Sequence, residues 1–203
     1  MKPLKNLFSI AIVFCLAAPS VLLAQSKEIS IPHIPQSAAD FTTMRNTIAT
    51  TPEGGAAMVI AALMAFSQDR NLGMQCLTIA LDSSNLEDGS VISGKAPARS
   101  FNYHLGRMDQ KQIWPYLAFN YVKGGTVKDG YAVKNNPPFT VVTSRNKYSG
   151  TEASGKVKVF VAVDGFSPRP ITLKKNKAGH WKAYELSSVW LDVAKPQAEE
   201  EEL

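Results

Sequence analysis

Hydrophobic positions along this chain follow two regimes, a helical period up to about Val122 and a period of two after Gly130. The strongest apolar run is Ala56–Phe66, AAMVIAALMAF, eleven residues without a polar break. Thr51-Pro52-Glu53-Gly54-Gly55 precedes it. Thr51 can cap a helix, Pro52 suits the first helical position, and Glu53 favours the positive end of the dipole. The run predicts a helix over about 52–67. Being apolar on every side, it must be covered on every side. Eleven residues are too few for a bilayer, which needs about 20.

Helices are predicted on either side of it. Phe41, Met44, Thr47 and Ile48 fall on one helical face with Asp40 as the cap, and Asp69 can cap a third helix running to about Leu81. The apolar face of that third helix is Leu72, Cys76, Ile79 and Ala80. Residues 83–100 read as a loop rich in Ser, Gly and Pro, and Asp109 as the start of a turn. Pro115 opens a fourth helix through about Val122, ended by Gly124-Gly125 and carrying Tyr116, Phe119 and Tyr121 as an aromatic surface, read as core.

Beyond Gly130 the alternation is that of strands. Val157, Val159, Val161 and Val163 alternate with Lys158, Phe160 and Ala162, the clearest period of two in the chain. Phe139–Ser144, Ile171–Lys174, His180–Leu186 and Val189–Val193 read as further strands, with turns at Gly165–Pro170 and Asn176–Gly179. Short links imply an antiparallel meander. The expected fold is therefore α+β, an N-terminal layer of three to four short helices packed on a C-terminal antiparallel sheet of about five strands.

The first residues read differently. Lys2 and Lys5 precede the apolar stretch Leu7–Ala18, and Ala24 ends it just before Gln25-Ser26-Lys27, the pattern of an export signal cut after Ala24. An uncleaved anchor is the alternative, and Pro19 within the run argues against it. Cys15 lies in the middle of the run after Phe14, which does not suit lipidation. The expected organisation is a signal peptide over 1–24 and an extended arm over 25–37. A single α+β domain over 38–196 and an acidic disordered tail over 197–203 complete it. In the arm Ile29, Ile31 and Ile34 alternate with polar residues and Pro32 and Pro35 interrupt, which suits a sheet edge. His33 there reads as exposed.

After removal of 1–24 one cysteine is left, Cys76, so no internal disulfide can form and packing must supply stability. Cys76, between apolar residues, reads as a small buried hydrophobe rather than a nucleophile. Charge is uneven. Without Lys2, Lys5 and the tail acids Glu199–Glu202, 20 basic residues face 13 acidic ones. Nine basic residues lie between Arg145 and Lys182 against only Glu152 and Asp164.

No catalytic constellation stands out. His33, His104 and His180 lack metal-site spacing, and H-E-x-x-H, C-x-x-C, G-x-S-x-G and the P-loop are absent from the sequence. No catalytic residue, metal or cofactor is expected. Gly54-Gly55 could expose amides to an anion, and close packing of the helix explains them as well. The most distinctive stretch is Gly165-Phe166-Ser167-Pro168-Arg169-Pro170-Ile171, with Gly179-His180-Trp181-Lys182 after it. Two prolines fix the backbone around Arg169. Its guanidinium is either an anion anchor or part of a rigid corner, paired with Asp164 or stacked on Trp181.

The order of Pro115-Tyr116, Tyr121, Gly124 and Gly130-Tyr131, then Gly165…Pro168-Arg169-Pro170-Ile171, Gly179…Trp181-Lys182 and Pro196, resembles an uncharacterised family of exported bacterial domains. The resemblance covers roughly 38–196. It implies one exported domain and carries no catalytic residues, since the family has no assigned activity.

Two functions follow as expectations. The first is a non-catalytic module of the bacterial envelope or secretome that binds an anionic glycan, a lipid headgroup or an acidic protein. Its basic strand-rich half would do so through Arg169, Lys174, Lys175, Lys177 and Trp181. Nucleic acid fits the charge but not the export signal. The blander counterpart is that these lysines only keep the sheet soluble and its edges unpaired. The second is a small-molecule site, less readily an enzyme, in an apolar pocket between helices and sheet, as in cone-shaped folds resembling nuclear transport factor 2. Met58, Phe119, Phe139 or Trp190 would line it.

Overall fold

A computed structural model describes residues 26–191 and 195–196. The expected signal peptide, the acidic tail and the end of the last expected strand lie outside the described residues. The elements in order are β1 (Ser26–Ile31), α1 (Ala38–Ile48), α2 (Pro52–Phe66), α3 (Arg70–Ala80), β2 (Leu86–Ile92), β3 (Lys95–Pro97) and α4 (Asn102–Lys111). Then come β4 (Phe139–Ser144), β5 (Lys156–Val163), β6 (Phe166–Lys175) and β7 (Trp181–Glu185). The main sheet has the order β1-β4-β5-β6-β7 with every pair antiparallel, and β2-β3 form a separate hairpin. The fold is α+β.

α2 is the centre of the molecule. Thr51 Oγ1 accepts from the Gly54 amide at 3.1 Å, Pro52 stands in the first turn, and all fifteen residues are buried. Its start is held to the sheet by close approach. A Cβ on Gly55 would lie 2.7 Å from the Trp181 carbonyl oxygen, and one on Gly54 would overlap the Ile48 carbonyl. Val157, Val159, Val161, Ile171, Leu173, Trp181 and Ala183 form the buried face of the sheet beneath it. α1 and α3 pack against α2, so this long apolar helix is covered as its composition requires.

Glu53 does more than meet the helix dipole. It is 4% exposed, its Oε1 lies 2.6 Å from Arg145 Nε, and Lys27 stands 4.0 Å from Oε2. The start of α2 is thus pinned electrostatically beside the ends of β1 and β4. β1 pairs with β4 through its whole length, the sheet-edge arm expected from the isoleucine alternation.

Several local expectations change. The cap of α1 is Ser37, whose Oγ accepts from Asp40 N at 3.1 Å. Asp40 instead accepts from Gln36 N and contacts His33 Nε2 at 3.0 Å, and His33 is exposed as expected. Residues 83–100 are not a plain loop: Ser93 (φ 49°) and Gly94 (φ 74°) make a two-residue turn that closes the β2–β3 hairpin. The fourth helix is α4 rather than 115–122. It is largely polar, buries Leu105 and Met108, and ends where Gln112 turns left-handed. Asp109 lies near its end and pairs with Arg70 of α3. Phe119–Tyr121 form a single 3₁₀ turn, yet Phe119 and Tyr121 are core as expected, with the Tyr121 hydroxyl donating to the Val189 carbonyl at 2.7 Å.

Pro168 and Pro170 do not make a corner. They lie within β6, where β7 pairs only with Thr172–Lys175 and that stretch has no strand partner on one side among the described residues. A proline, which cannot donate, is tolerated there. Ser187–Trp190 is a 3₁₀ turn where the expected last strand begins.

Candidate functional site: a lysine row and a neighbouring pocket

The alternation of β5 buries its valines and leaves Lys156 and Lys158 exposed. Register decides what faces them. Lys156 is directly opposite Lys174 on β6, Lys174 is directly opposite Lys182 on β7, and Lys158 is opposite Thr172. Three lysines therefore stand side by side across three strands. Directly opposed residues share a face with Cβ atoms about 5 Å apart, and like charges so placed are destabilising. Among the described residues none of Lys156, Lys158, Lys174 and Lys182 forms an ion pair with a carboxylate. Tyr184 takes part of the charge: Lys174 Nζ lies 3.4 Å and Lys156 Nζ 4.6 Å from its ring centroid.

Lys182 is half-buried, and its amine is brought down from the ordinary lysine range to about 8. Burial is the main cause, Arg45 adds to it, and Asp82 opposes it. Burial removes the water that would stabilise an ammonium.

The structure divides the binding residues expected from sequence. Lys174 is the middle of the row. Lys175 is exposed and opposite Trp181, its Nζ 6.0 Å from that ring, and Lys177 is exposed in the turn between β6 and β7. Arg169 is opposite buried Val161, in line with the inward-facing residues, with its guanidinium 5.7 Å over the ring of Phe166. Arg169 is thus set apart from the lysine row. Trp181 is 1% exposed and part of the core, its amide donating to the Ala49 carbonyl at 2.8 Å. A ligand on the surface cannot reach its indole, and Trp181 leaves the set of contact residues. The residues that share the outer face with Lys174 are Lys156, Lys158, Lys182 and Tyr184. Period two alone puts Lys156 and Lys158 on one face, but their alignment with β6 and β7 depends on register.

At the far end of β7 lies a pocket of about 200 Å³ lined by Asn85, Ser100, Phe101, His104, Tyr184, Glu185, Leu186, Ser187 and Trp190. His104 stacks on Trp190 with centroids 5.6 Å apart and planes 13° apart, and Phe101 meets Trp190 edge-on. Burial, with Arg107 next in effect, lowers the His104 pKa and favours the neutral ring. Thr172 Oγ1 donates to Glu185 Oε2 at 2.8 Å, and Asn85 Nδ2 donates to the Ala183 and Tyr184 carbonyls. This is not the cavity expected between helices and sheet. Met58, Phe119 and Phe139 are packed in the core, and only Trp190 of the four expected lining residues borders the pocket. Residues from distant parts of the chain build it, so no motif marks it.

Cys76 is buried, and burial pushes its thiol up to about 12, with Asp40 adding to the effect. A thiolate nucleophile is not available there. Among the described residues no three His, Cys, Asp or Glu side chains gather as metal ligands, and no helix is long and apolar enough to cross a membrane.

No curated protein and no solved structure matches this chain. A family model described as "Domain of unknown function (DUF6935)" matches residues 33–197, nearly all of the folded region, and the chain belongs to that family.

Proposed function

We propose that this protein is an exported, non-catalytic binding module that takes an anionic partner on the lysine face of β5, β6 and β7. The observation that carries the reading is the row Lys156–Lys174–Lys182, placed by register in direct opposition without carboxylate partners among the described residues. Lysines needed only for solubility can be spaced or interleaved with acids at no cost. Three stacked side by side are repulsive, and an anion laid across them removes that repulsion. Export rests on the pattern of residues 1–24 and places such a module in the bacterial envelope or outside the cell.

The test is titration of the purified protein with heparin as a general polyanion across a salt series. Saturable binding that weakens steeply with salt, and that is lost in the double variant Lys156→Glu, Lys174→Glu, is the expected result. Heparin affinity unchanged by that variant, or no binding at low salt, removes the reading and leaves the lysines a solubilising role.

A further inference from the structure

We infer that the pocket at the end of β7 is a subsite for one uncharged, hydroxyl-rich ring, and that the anionic partner is therefore an acidic glycan. The inference rests on the lysine-face reading and names the chemistry of its ligand.

The pocket has the size for it. Water occupies about 30 Å³ in the liquid, so about 200 Å³ holds on the order of six or seven waters, or one sugar ring in their place. Its lining is mixed. Phe101, Leu186 and Trp190 give apolar surface for the C–H side of a ring, while Asn85, Ser100, His104, Glu185 and Ser187 offer short polar groups at several angles. A hydrocarbon ligand would leave those groups unpaired, at the cost of buried polar atoms without hydrogen bonds.

Charge then decides which part of a ligand enters. Among the lining residues Glu185 supplies the formal charge, and it is negative. A carboxylate, phosphate or sulfate is repelled from this space, and hydroxyl donors suit it. The Asn85 amide spends its N–H groups on main-chain carbonyls and keeps its oxygen as an acceptor, and Glu185 has Oε1 in addition to the oxygen that Thr172 occupies. The positive charge stands next door. Lys182 and Glu185 are three residues apart on β7, about 10 Å along a strand, and Tyr184 borders the pocket while its ring carries the Lys156 and Lys174 ammoniums. A ligand that is uncharged at one ring and anionic at the next fits this order. A phosphatidylglycerol headgroup or an acidic peptide has no neutral polyol ring to place in the pocket.

The experiment compares four probes on the full chain: a tetrasaccharide alternating uronate and uncharged rings, poly-glutamate, polyphosphate, and phosphatidylglycerol vesicles. Two variants fill the pocket from its exposed rim, Ser100→Phe and Ser187→Phe, so that one decides if the other fails to fold. Unchanged circular dichroism and thermal midpoint serve as the folding check. The expected result is a loss of about tenfold in tetrasaccharide affinity, as for one or two hydrogen bonds, with poly-glutamate and polyphosphate affinities unmoved. The Lys156→Glu, Lys174→Glu variant weakens every probe. Tetrasaccharide affinity untouched by a folded pocket variant overturns the glycan inference and leaves the lysine-face reading standing. Vesicles or poly-glutamate binding as tightly as the tetrasaccharide overturn it as well. Failure of all four probes to bind at low salt overturns both.

Discussion

Replacing Lys182 by Met isolates the cost of holding a charged amine half-buried beside Arg45. The amine titrates at about 8 in the folded protein against an ordinary 10.5. Because its folded pKa is depressed, the folded state binds fewer protons than the unfolded chain between those values, and stability rises with pH through that window. At about 1.4 kcal/mol per pK unit, the shift corresponds to roughly 3 kcal/mol against folding at neutral pH. Water still reaches a half-buried amine, which brings this to about 1–2 kcal/mol. Roughly 0.5 kcal/mol of it is recovered between pH 7 and 9 as Lys182 releases its proton. Two other groups act in the opposite sense. Cys76 and Tyr131 both titrate at about 12 in the fold, so the unfolded chain loses those protons first and stability falls above about pH 9 for the thiol and pH 10 for the phenol. Urea unfolding of wild type and Lys182→Met at pH 7, 8 and 9 cancels those terms in the difference. Lys182→Met should be the more stable protein at pH 7, with the gap closing by about 0.5 kcal/mol at pH 9. A gap that stays constant across this range refutes the argument. The same shift has a functional counterpart: an anion on the row restores the ammonium, so binding near pH 8 should take up protons, seen as a buffer-dependent enthalpy.

Other parts of the fold give sharp contrasts. Gly55→Ala drives a methyl to 2.7 Å from the Trp181 carbonyl and should cost about 1–3 kcal/mol in urea unfolding, whereas Gly106→Ala in α4 meets nothing within 4 Å and should gain about 0.5–1. Glu53→Gln removes the buried partner of Arg145 and leaves it only the exposed Glu152 among the described residues. The loss should be about 2–3 kcal/mol, below that of a wholly buried pair because Arg145 is one-third exposed, and should lower the thermal midpoint by roughly 5–10 °C. Cys76 should resist a thiol reagent at pH 8 in the native protein and react at the rate of unfolding. Rapid labelling of folded protein would place the thiol outside the core.

The legible parts of the sequence were those where one residue's role does not depend on a distant partner. The uninterrupted apolar run of α2, the Thr51 and Asp69 caps and the valine alternation of β5 each follow from local chemistry, and the structure keeps all of them. α4 was not legible because it buries little beyond Leu105 and Met108, too few residues to declare a face. Pro168 and Pro170 read as a corner because prolines break ladders, but whether a strand lacks a neighbour is a property of the sheet, not of the strand. Trp181 is the same kind of case. Beside Lys182 and Lys175 it reads as part of a basic aromatic surface, yet alternation turns its side chain toward Gly55 and the core while Lys182 stays half-buried beside it.

The two halves of the candidate site each carry a cost, and this supports their being used together. The lysine row opposes folding through like charge and, at Lys182, through lost hydration. Beside the pocket, Trp190 Nε1 and His104 Nδ1 are buried without hydrogen-bond partners among the described residues, another cost to the fold. Both lie on or beside β7, the edge strand whose first residue is fixed against α2 by Gly55 and whose main chain is held by Asn85. A strand held in place and presenting a row of like charges is what a preorganised binding site requires, since an anion relieves a cost already met in folding. Stabilising variants at Lys182 or Lys174 should therefore lose anion affinity as they gain stability. Variants of equal gain elsewhere, such as Gly106→Ala, should leave affinity alone, and a matching loss there would separate the row's strain from its function.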